Sequence, residues 1–137
     1  MKTTAVFLSI VILATIMLCC TISYAEEKLQ VVVVTGGHAY DRRPFEAIFK
    51  SFEEYDCTFV ALKDDSEIFE EISDWSYDVI VLYNMSQQIS EKRQQNFLKL
   101  MDDGVGLVVL HHALAAFSGW REYRKIIGAK YWLADTV

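Results

Sequence analysis

The chain has 137 residues, of which 53% are hydrophobic and 23% are charged, and its formal net charge at pH 7 is −6. This length is enough for one domain with a hydrophobic core. The acidic charge argues against nucleic acid and against anionic membrane surfaces, because both of them bind basic patches. We therefore expect neither of them as a partner.

The first 25 residues have the features of a secretory signal peptide. Lys2 precedes an apolar run over residues 5–22, and Ser23-Tyr24-Ala25 places small residues at the positions that a signal peptidase recognises. We predict cleavage after Ala25 and export to the periplasm or the medium, with no membrane association afterwards. The alternatives are an uncleaved anchor helix and a lipoprotein signal that ends at Cys19 or Cys20.

The predicted mature chain, residues 26–137, has a net charge of −7, because Lys2 is the one charged residue that leaves with the signal. It keeps one cysteine, Cys57, which cannot form an internal disulfide alone. Cys57 begins an apolar run, and this position favours a buried, inert thiol over a nucleophile.

The mature sequence alternates apolar strands with amphipathic helices. The strands are predicted at residues 29–34, 58–61, 77–83 and 106–110. The first helix carries an apolar stripe that consists of Phe45, Ile48, Phe49 and Phe52. A brief second helix is predicted after the second strand. The last two helices are predicted at residues 91–103 and 118–127. Asp41 and Ser90 are plausible N-caps.

Strands that are apolar throughout are typical of a parallel sheet buried on both faces. Alternation with helices predicts an α/β fold with helices on both sides of the sheet and right-handed crossovers. For four such units the expected strand order is 2-1-3-4, which is the flavodoxin-like, three-layer arrangement.

The fourth strand, Gly106–Leu110, is as apolar as a central strand, although no later segment can pair with its far edge. Edge strands of soluble proteins are normally short, charged or covered. The sequence after Tyr131 contains no further recognisable element. We therefore predict that residues 26–137 are the N-terminal part of a larger domain, truncated at its C-terminus. The alternative is a compact four-stranded domain whose tail covers the edge.

All three histidines directly follow predicted strands: His38 follows the first, and His111 and His112 follow the fourth. In a 2-1-3-4 sheet the first, third and fourth strands are neighbours, and their carboxyl ends open into one crevice. Histidine changes its charge near neutral pH, so it is suited to acid/base chemistry. We predict that these three histidines are catalytic.

Five further residues are predicted to line the same crevice as substrate-binding groups. The glycines allow a tight turn and leave N–H groups free for a ligand oxygen near a helix N-terminus. The third strand ends in a tyrosine and an asparagine, and an aspartate opens the first helix. These residues are Gly36, Gly37, Asp41, Tyr83 and Asn84.

Adjacent residues at a strand end project to opposite faces of the sheet. At most one of His111 and His112 would then point into the crevice, unless the backbone kinks there. The sequence has no H-x-H or H-E-x-x-H spacing, no G-x-G-x-x-G and no P-loop motif. We therefore predict neither a metal ligand set nor a cofactor. The alternative is a metal site formed by the three histidines, because imidazole is the most common zinc ligand.

Four segments together resemble the ThuA-like, or trehalose-utilisation, family; they are residues 33–46, 77–85, 106–115 and 120–131. The resemblance implies a fold similar to the class I glutamine amidotransferases. That superfamily carries a cysteine nucleophile in the turn after the strand equivalent to Gly106–Leu110. Here the turn carries His111-His112-Ala113, so amidotransferase chemistry by a Cys–His dyad is excluded.

The resemblance also implies a role in carbohydrate utilisation with a small-molecule carbohydrate as partner. The leading hypothesis is an exported ThuA-like domain that binds a sugar or oxidised sugar derivative, and that could transform it as a carbohydrate-active hydrolase or lyase. The alternatives are a non-catalytic carbohydrate-binding or interaction domain and an inactive fragment. The sequence makes no prediction of the oligomeric state.

Overall fold

The computed structural model describes residues 27–63, 65–85 and 88–131. The predicted signal peptide lies outside them. The strands are β1 (Leu29–Gly36), β2 (Tyr55–Ala61), β3 (Val79–Asn84) and β4 (Gly106–Val109). The helices are α1 (Arg42–Lys50), α2 (Glu91–Asp102) and α3 (Arg121–Ile127), with 3₁₀ helices at Glu67–Phe69 and His111–Ala115. None of the helices in this part of the chain has the length and hydrophobicity needed to span a bilayer.

The four strands form one parallel sheet in the order β2-β1-β3-β4. The predicted fold class and strand order are therefore confirmed. The run Val31–Val34 in β1 is buried throughout, as expected for a central strand covered on both faces. Gly36 lies opposite Asn84 in the register, and this pairing sets the ends of β1 and β3 side by side.

The sheet separates two clusters of apolar side chains. Successive residues of a strand point to opposite faces, so Val32 and Val34 face one layer and Val31 and Val33 the other. The larger cluster includes α2, α3 and both 3₁₀ helices, and its most buried aromatic residues are Phe69, Phe97, Phe117 and Tyr123. The smaller cluster packs against Phe45 and Phe49 of α1. This is the predicted three-layer arrangement.

Several predicted boundaries are wrong. The helix predicted from Ser118 begins at Arg121, because residues 116–119 form a turn in which Phe117 has a left-handed φ of 53°. The brief helix after β2 is a single 3₁₀ turn, and β2 itself begins at Tyr55. Asp41 occupies the N-cap position of α1, but its side chain makes no capping hydrogen bond, whereas Ser90 accepts one from the N–H of Arg93.

The layer on the α1 side leaves apolar surface uncovered. Ile48 and Phe52 were predicted in the buried stripe of α1, but they are 59% and 46% exposed. β4 is at one edge of the described sheet, and its Val108 is 42% exposed. A groove of about 270 Å³ runs along this face, lined by Val79, Val81, Val108 and Leu110 among others. That the edge of β4 is open stays a prediction, because residues 132–137 lie outside the described part of the chain.

Cys57 lies in β2 and packs against the smaller cluster, where it is half-buried. Burial is the main factor that raises the pKa of its thiol, and the nearby Asp56 adds to the effect. The thiolate is the reactive form of cysteine, so a raised pKa makes this thiol a poor nucleophile.

Candidate functional site

His38, His111 and His112 come together at the carboxyl ends of β1 and β4, and we call them the histidine cluster. One ring nitrogen from each lies within 4.8 Å of those of the other two. The ring centroids of His38 and His112 are 4.6 Å apart, and those of His38 and His111 are 5.9 Å apart. His111 is exposed, and the other two are partly buried, so the cluster opens to solvent on one side.

A backbone kink places both adjacent histidines on the same side of the sheet. β4 ends at Val109, and His111 has a left-handed φ of 52° as the chain turns into the second 3₁₀ helix. The two imidazole centroids are 3.8 Å apart as a result. The alternation of side chains therefore does not extend to His111 and His112, and both belong to the cluster.

The turn that carries these histidines is anchored in the core. The hydroxyl of Tyr123 in α3 donates a 2.8 Å hydrogen bond to the carbonyl oxygen of Ala113, and both residues are fully buried. Burial raises the pKa of the Tyr123 hydroxyl strongly, so it remains a donor at any ordinary pH. Tyr123 and Trp120 are both buried in the larger apolar cluster, so they serve core packing.

His38 is held by the neighbouring strand β3. Its Nε2 lies 2.9 Å from the carbonyl oxygen of Tyr83, and its Nδ1 lies 3.2 Å from that of Ala39. The turn before it depends on Gly36, with a φ of 131°, and Gly37, with a φ of 77°. A neutral imidazole has one N–H, so it can donate to only one of the two carbonyls.

Three aromatic rings stand beside the cluster, and we call Tyr40, Phe45 and Tyr83 the aromatic wall. Tyr83 contacts the rings of His38 and His111 at centroid distances of 4.9 and 5.7 Å. Phe45 stacks on Tyr83 at 4.3 Å, and Tyr40 packs edge-on against both. The sequence singled out only Tyr83 of these three. One feature of the sequence could have indicated Tyr40 as a site residue: it lies two residues after His38, which follows the first strand.

The electrostatics of the cluster favour a neutral His112. Burial is the main factor that lowers the pKa of its imidazole, and His111 and His38 lower it further. Its Nδ1 is buried without a hydrogen-bond partner. Arg42, at the start of α1, forms an ion pair with Glu46 of the same helix.

The structure does not bring every predicted binding residue to the cluster. Asn84 follows the alternation of β3, so its side chain faces the layer of Ile80 and Leu82, away from Tyr83. It is fully buried, and neither its amide nitrogen nor its amide oxygen has a partner. Asp41 is exposed beside α1.

A second cavity lies between loops at the carboxyl ends of β2, β3 and β4. Its volume is about 390 Å³, and its lining mixes polar and aromatic side chains, among them Asp65, Gln88, Gln94, Phe117 and Trp120. Asp65 forms an ion pair with Arg93 of α2 at 2.8 Å. None of the residues that line this cavity was predicted as a site residue. The only signal for it is that Asp65 and Gln88 also follow strands.

Comparisons with known proteins give one family and one solved structure. The family model described as ThuA, trehalose utilisation, matches residues 30–136. A crystal structure of a ThuA-like protein from Parabacteroides merdae superposes with a TM-score of 0.61 at 22% sequence identity, over 78% of this chain and 40% of that one. At this identity the likeness concerns the fold, and this chain spans less than half of its length. No curated protein matches the chain.

Proposed function

Because the chain belongs to the trehalose-utilisation (ThuA) family, we propose that its histidine cluster and aromatic wall bind a sugar or an oxidised sugar derivative. The observation that carries the proposal is that His38, His111 and His112, from two different strand ends, converge beside three aromatic rings. Ligand sites combine aromatic surface with a few polar groups that converge on the ligand. A sugar offers C–H faces to the rings and hydroxyls to the imidazoles.

The same geometry supports acid/base chemistry on the bound sugar, as in a hydrolase or lyase. A neutral imidazole accepts a proton from a sugar carbon, a hydroxyl or water, while a protonated one donates a proton to the departing oxygen. Two imidazoles in ring contact share one proton more readily than they carry two charges. His38, held by Tyr83, and the His111-His112 pair provide the two partners for this exchange.

The proposal predicts that alanine at each histidine weakens sugar binding. We expect His38→Ala, His111→Ala and His112→Ala each to lower the affinity by about twofold to tenfold, because a hydrogen bond contributes roughly 0.5–1.5 kcal/mol. Saturation-transfer NMR with trehalose, glucose and their oxidised derivatives identifies the sugar that binds. Calorimetry with that sugar then measures the affinities.

Lys99→Ala is the matched control, since Lys99 is an exposed residue of α2 paired with Asp103 at the other end of the sheet. It should bind as the unsubstituted chain does. Equal affinities for the control and the three histidine variants would refute the proposed site. Sugar binding without product after long incubation would favour the non-catalytic carbohydrate-binding alternative over the enzyme.

We further propose that the protein is exported and that residues 1–25 are removed. The support is the pattern of a basic start, an apolar centre and the Ser23-Tyr24-Ala25 site. Expressed with its full N-terminus in a bacterium that secretes proteins, the chain should yield a product whose first residue is Glu26. Intact-mass analysis measures this directly. A product that retains residues 1–25 in the membrane fraction would support the anchor helix instead.

That the domain continues beyond Val137 stays a prediction. The exposed Val108 on the edge strand β4 and the apolar groove beside it support it. Reading the source DNA past the codon for Val137 tests it.

A further inference from the structure

The histidine cluster has the composition and spacing of a transition-metal site. It is the one group of three histidine, cysteine or acidic side chains in residues 27–63, 65–85 and 88–131 with ligand atoms close enough to share an ion. Imidazole is the most common protein ligand for zinc. We propose that His38, His111 and His112 together bind one Zn²⁺ or a similar divalent transition metal. This inference goes beyond the proposed function and does not depend on it.

To bind one zinc ion, the three ring nitrogens need to move only a short distance toward one another. Ligand nitrogens about 2.0–2.1 Å from a tetrahedral zinc lie about 3.3 Å from one another, and here the three nitrogens lie within 4.8 Å. His111 is exposed on a turn, so its ring can close this gap without disturbing the core. Three imidazoles leave one coordination position for a water molecule or a hydroxyl oxygen, as in catalytic zinc sites.

The hydrogen bonds around His38 suit a metal ligand. A ligating histidine usually donates its second ring N–H to a carboxylate or a backbone carbonyl, and this bond fixes the tautomer. The Nε2 of His38 lies 2.9 Å from the carbonyl oxygen of Tyr83, the shorter of its two contacts. With the proton on Nε2, the lone pair that would bind the metal is on Nδ1.

The unpartnered nitrogen of His112 is the second, independent observation. Its Nδ1 is buried without any hydrogen bond, and an unsatisfied buried polar atom destabilises the folded protein. A metal ion bound at Nδ1 would supply the missing partner.

The ligand types select the metal class. The cluster contains three imidazoles and no carboxylate, while calcium and magnesium require oxygen ligands. Imidazole suits zinc, copper, nickel and iron. We therefore expect Zn²⁺ to bind, and Mg²⁺ and Ca²⁺ to leave the protein unchanged.

A metal titration tests the proposal. It uses the full chain without an affinity tag, after a chelator has removed any bound metal. Calorimetry with ZnCl₂ should show one site per chain, and Co²⁺ should give the visible absorption of a tetrahedral complex. His111→Ala should weaken Zn²⁺ binding at least about 100-fold, more than the loss of a supporting residue usually does. Because His111 is exposed, this variant keeps the folded core. Cys57→Ser is the matched control and should bind Zn²⁺ unchanged.

Two results would overturn the metal site: no stoichiometric Zn²⁺ binding by the unsubstituted chain, or equal affinity in the His111→Ala and Cys57→Ser variants. Sugar binding measured in the presence of a chelator separates the two proposals. Sugar that binds equally well with and without chelator, in a chain that binds no zinc, refutes the metal site and leaves the sugar site intact.

Discussion

Replacing Gly36 with alanine should destabilise the domain by roughly 3 kcal/mol or more, a large part of the stability of a small domain. A Cβ at this position would lie 2.5 Å from the carbonyl oxygen of Leu62, which is backbone and cannot rotate away. The φ of 131° is also one that residues other than glycine rarely adopt. Urea unfolding followed by circular dichroism measures the loss.

The neighbouring hydrogen bonds explain why the backbone cannot shift to make room. The N–H of Leu62 donates to Thr35 at 2.7 Å, and the N–H of Met85 donates to the carbonyl of Gly36 at 2.8 Å. Gly36 is thereby fixed between β2 and β3, two residues before His38. The same substitution should therefore weaken ligand binding at the histidine cluster, even under conditions in which the variant is folded.

Gly104→Ala is the matched control for this prediction. Gly104 also has a left-handed φ, 90°, but nothing lies within 4 Å of the Cβ it would gain. Its substitution should cost only the backbone strain, about 1 kcal/mol. Equal losses in the two variants would mean that the contact with Leu62 contributes nothing.

Replacing Asn84 with leucine should stabilise the folded domain by roughly 1–2 kcal/mol, because it removes two buried polar atoms that have no partner. Leucine has the same branching at Cγ and suits the layer of Ile80 and Leu82 that Asn84 faces. Urea unfolding followed by circular dichroism measures the change in stability.

Asn96→Leu is the control with opposite sign. The amide nitrogen of Asn96 donates to the carbonyl oxygens of Phe69 at 2.8 Å and Glu70 at 3.2 Å. Leucine there leaves these carbonyls without their donor, at a cost of about 1–3 kcal/mol. If Asn84→Leu destabilised the domain as Asn96→Leu does, Asn84 would have a partner in the folded protein.

The strands could be predicted because burial on both faces leaves a clear pattern in the sequence. Val31–Val34 and Val79–Leu82 contain no polar residue, and alternation with helices then leaves few possible strand orders. The ends of the helices were harder to predict, because they depend on tertiary contacts. Phe117 has a left-handed φ that no local residue preference indicates, and this turn moves the start of α3 to Arg121.

The sequence predicted which loops form the site, but it did not predict the directions of the side chains in those loops. The strand order alone brings His38 near His111 and His112. The kink at His111 joins both adjacent histidines to the cluster, and no sequence signal marked it. Asn84 shows the opposite case, because the regular alternation of β3 continues to its last residue and turns the amide away from Tyr83. Phe45 was assigned to a core stripe, although it also supports the aromatic wall through Tyr83.

The central claim is that three histidines from two strand ends form one ligand site. Long-range ¹H–¹⁵N NMR of the imidazole rings, recorded while the responding sugar is added, tests it most directly. We predict that the signals of His38, His111 and His112 shift together and give one dissociation constant. Rings that shift independently, or that stay unchanged while the sugar saturates the protein, would contradict the claim.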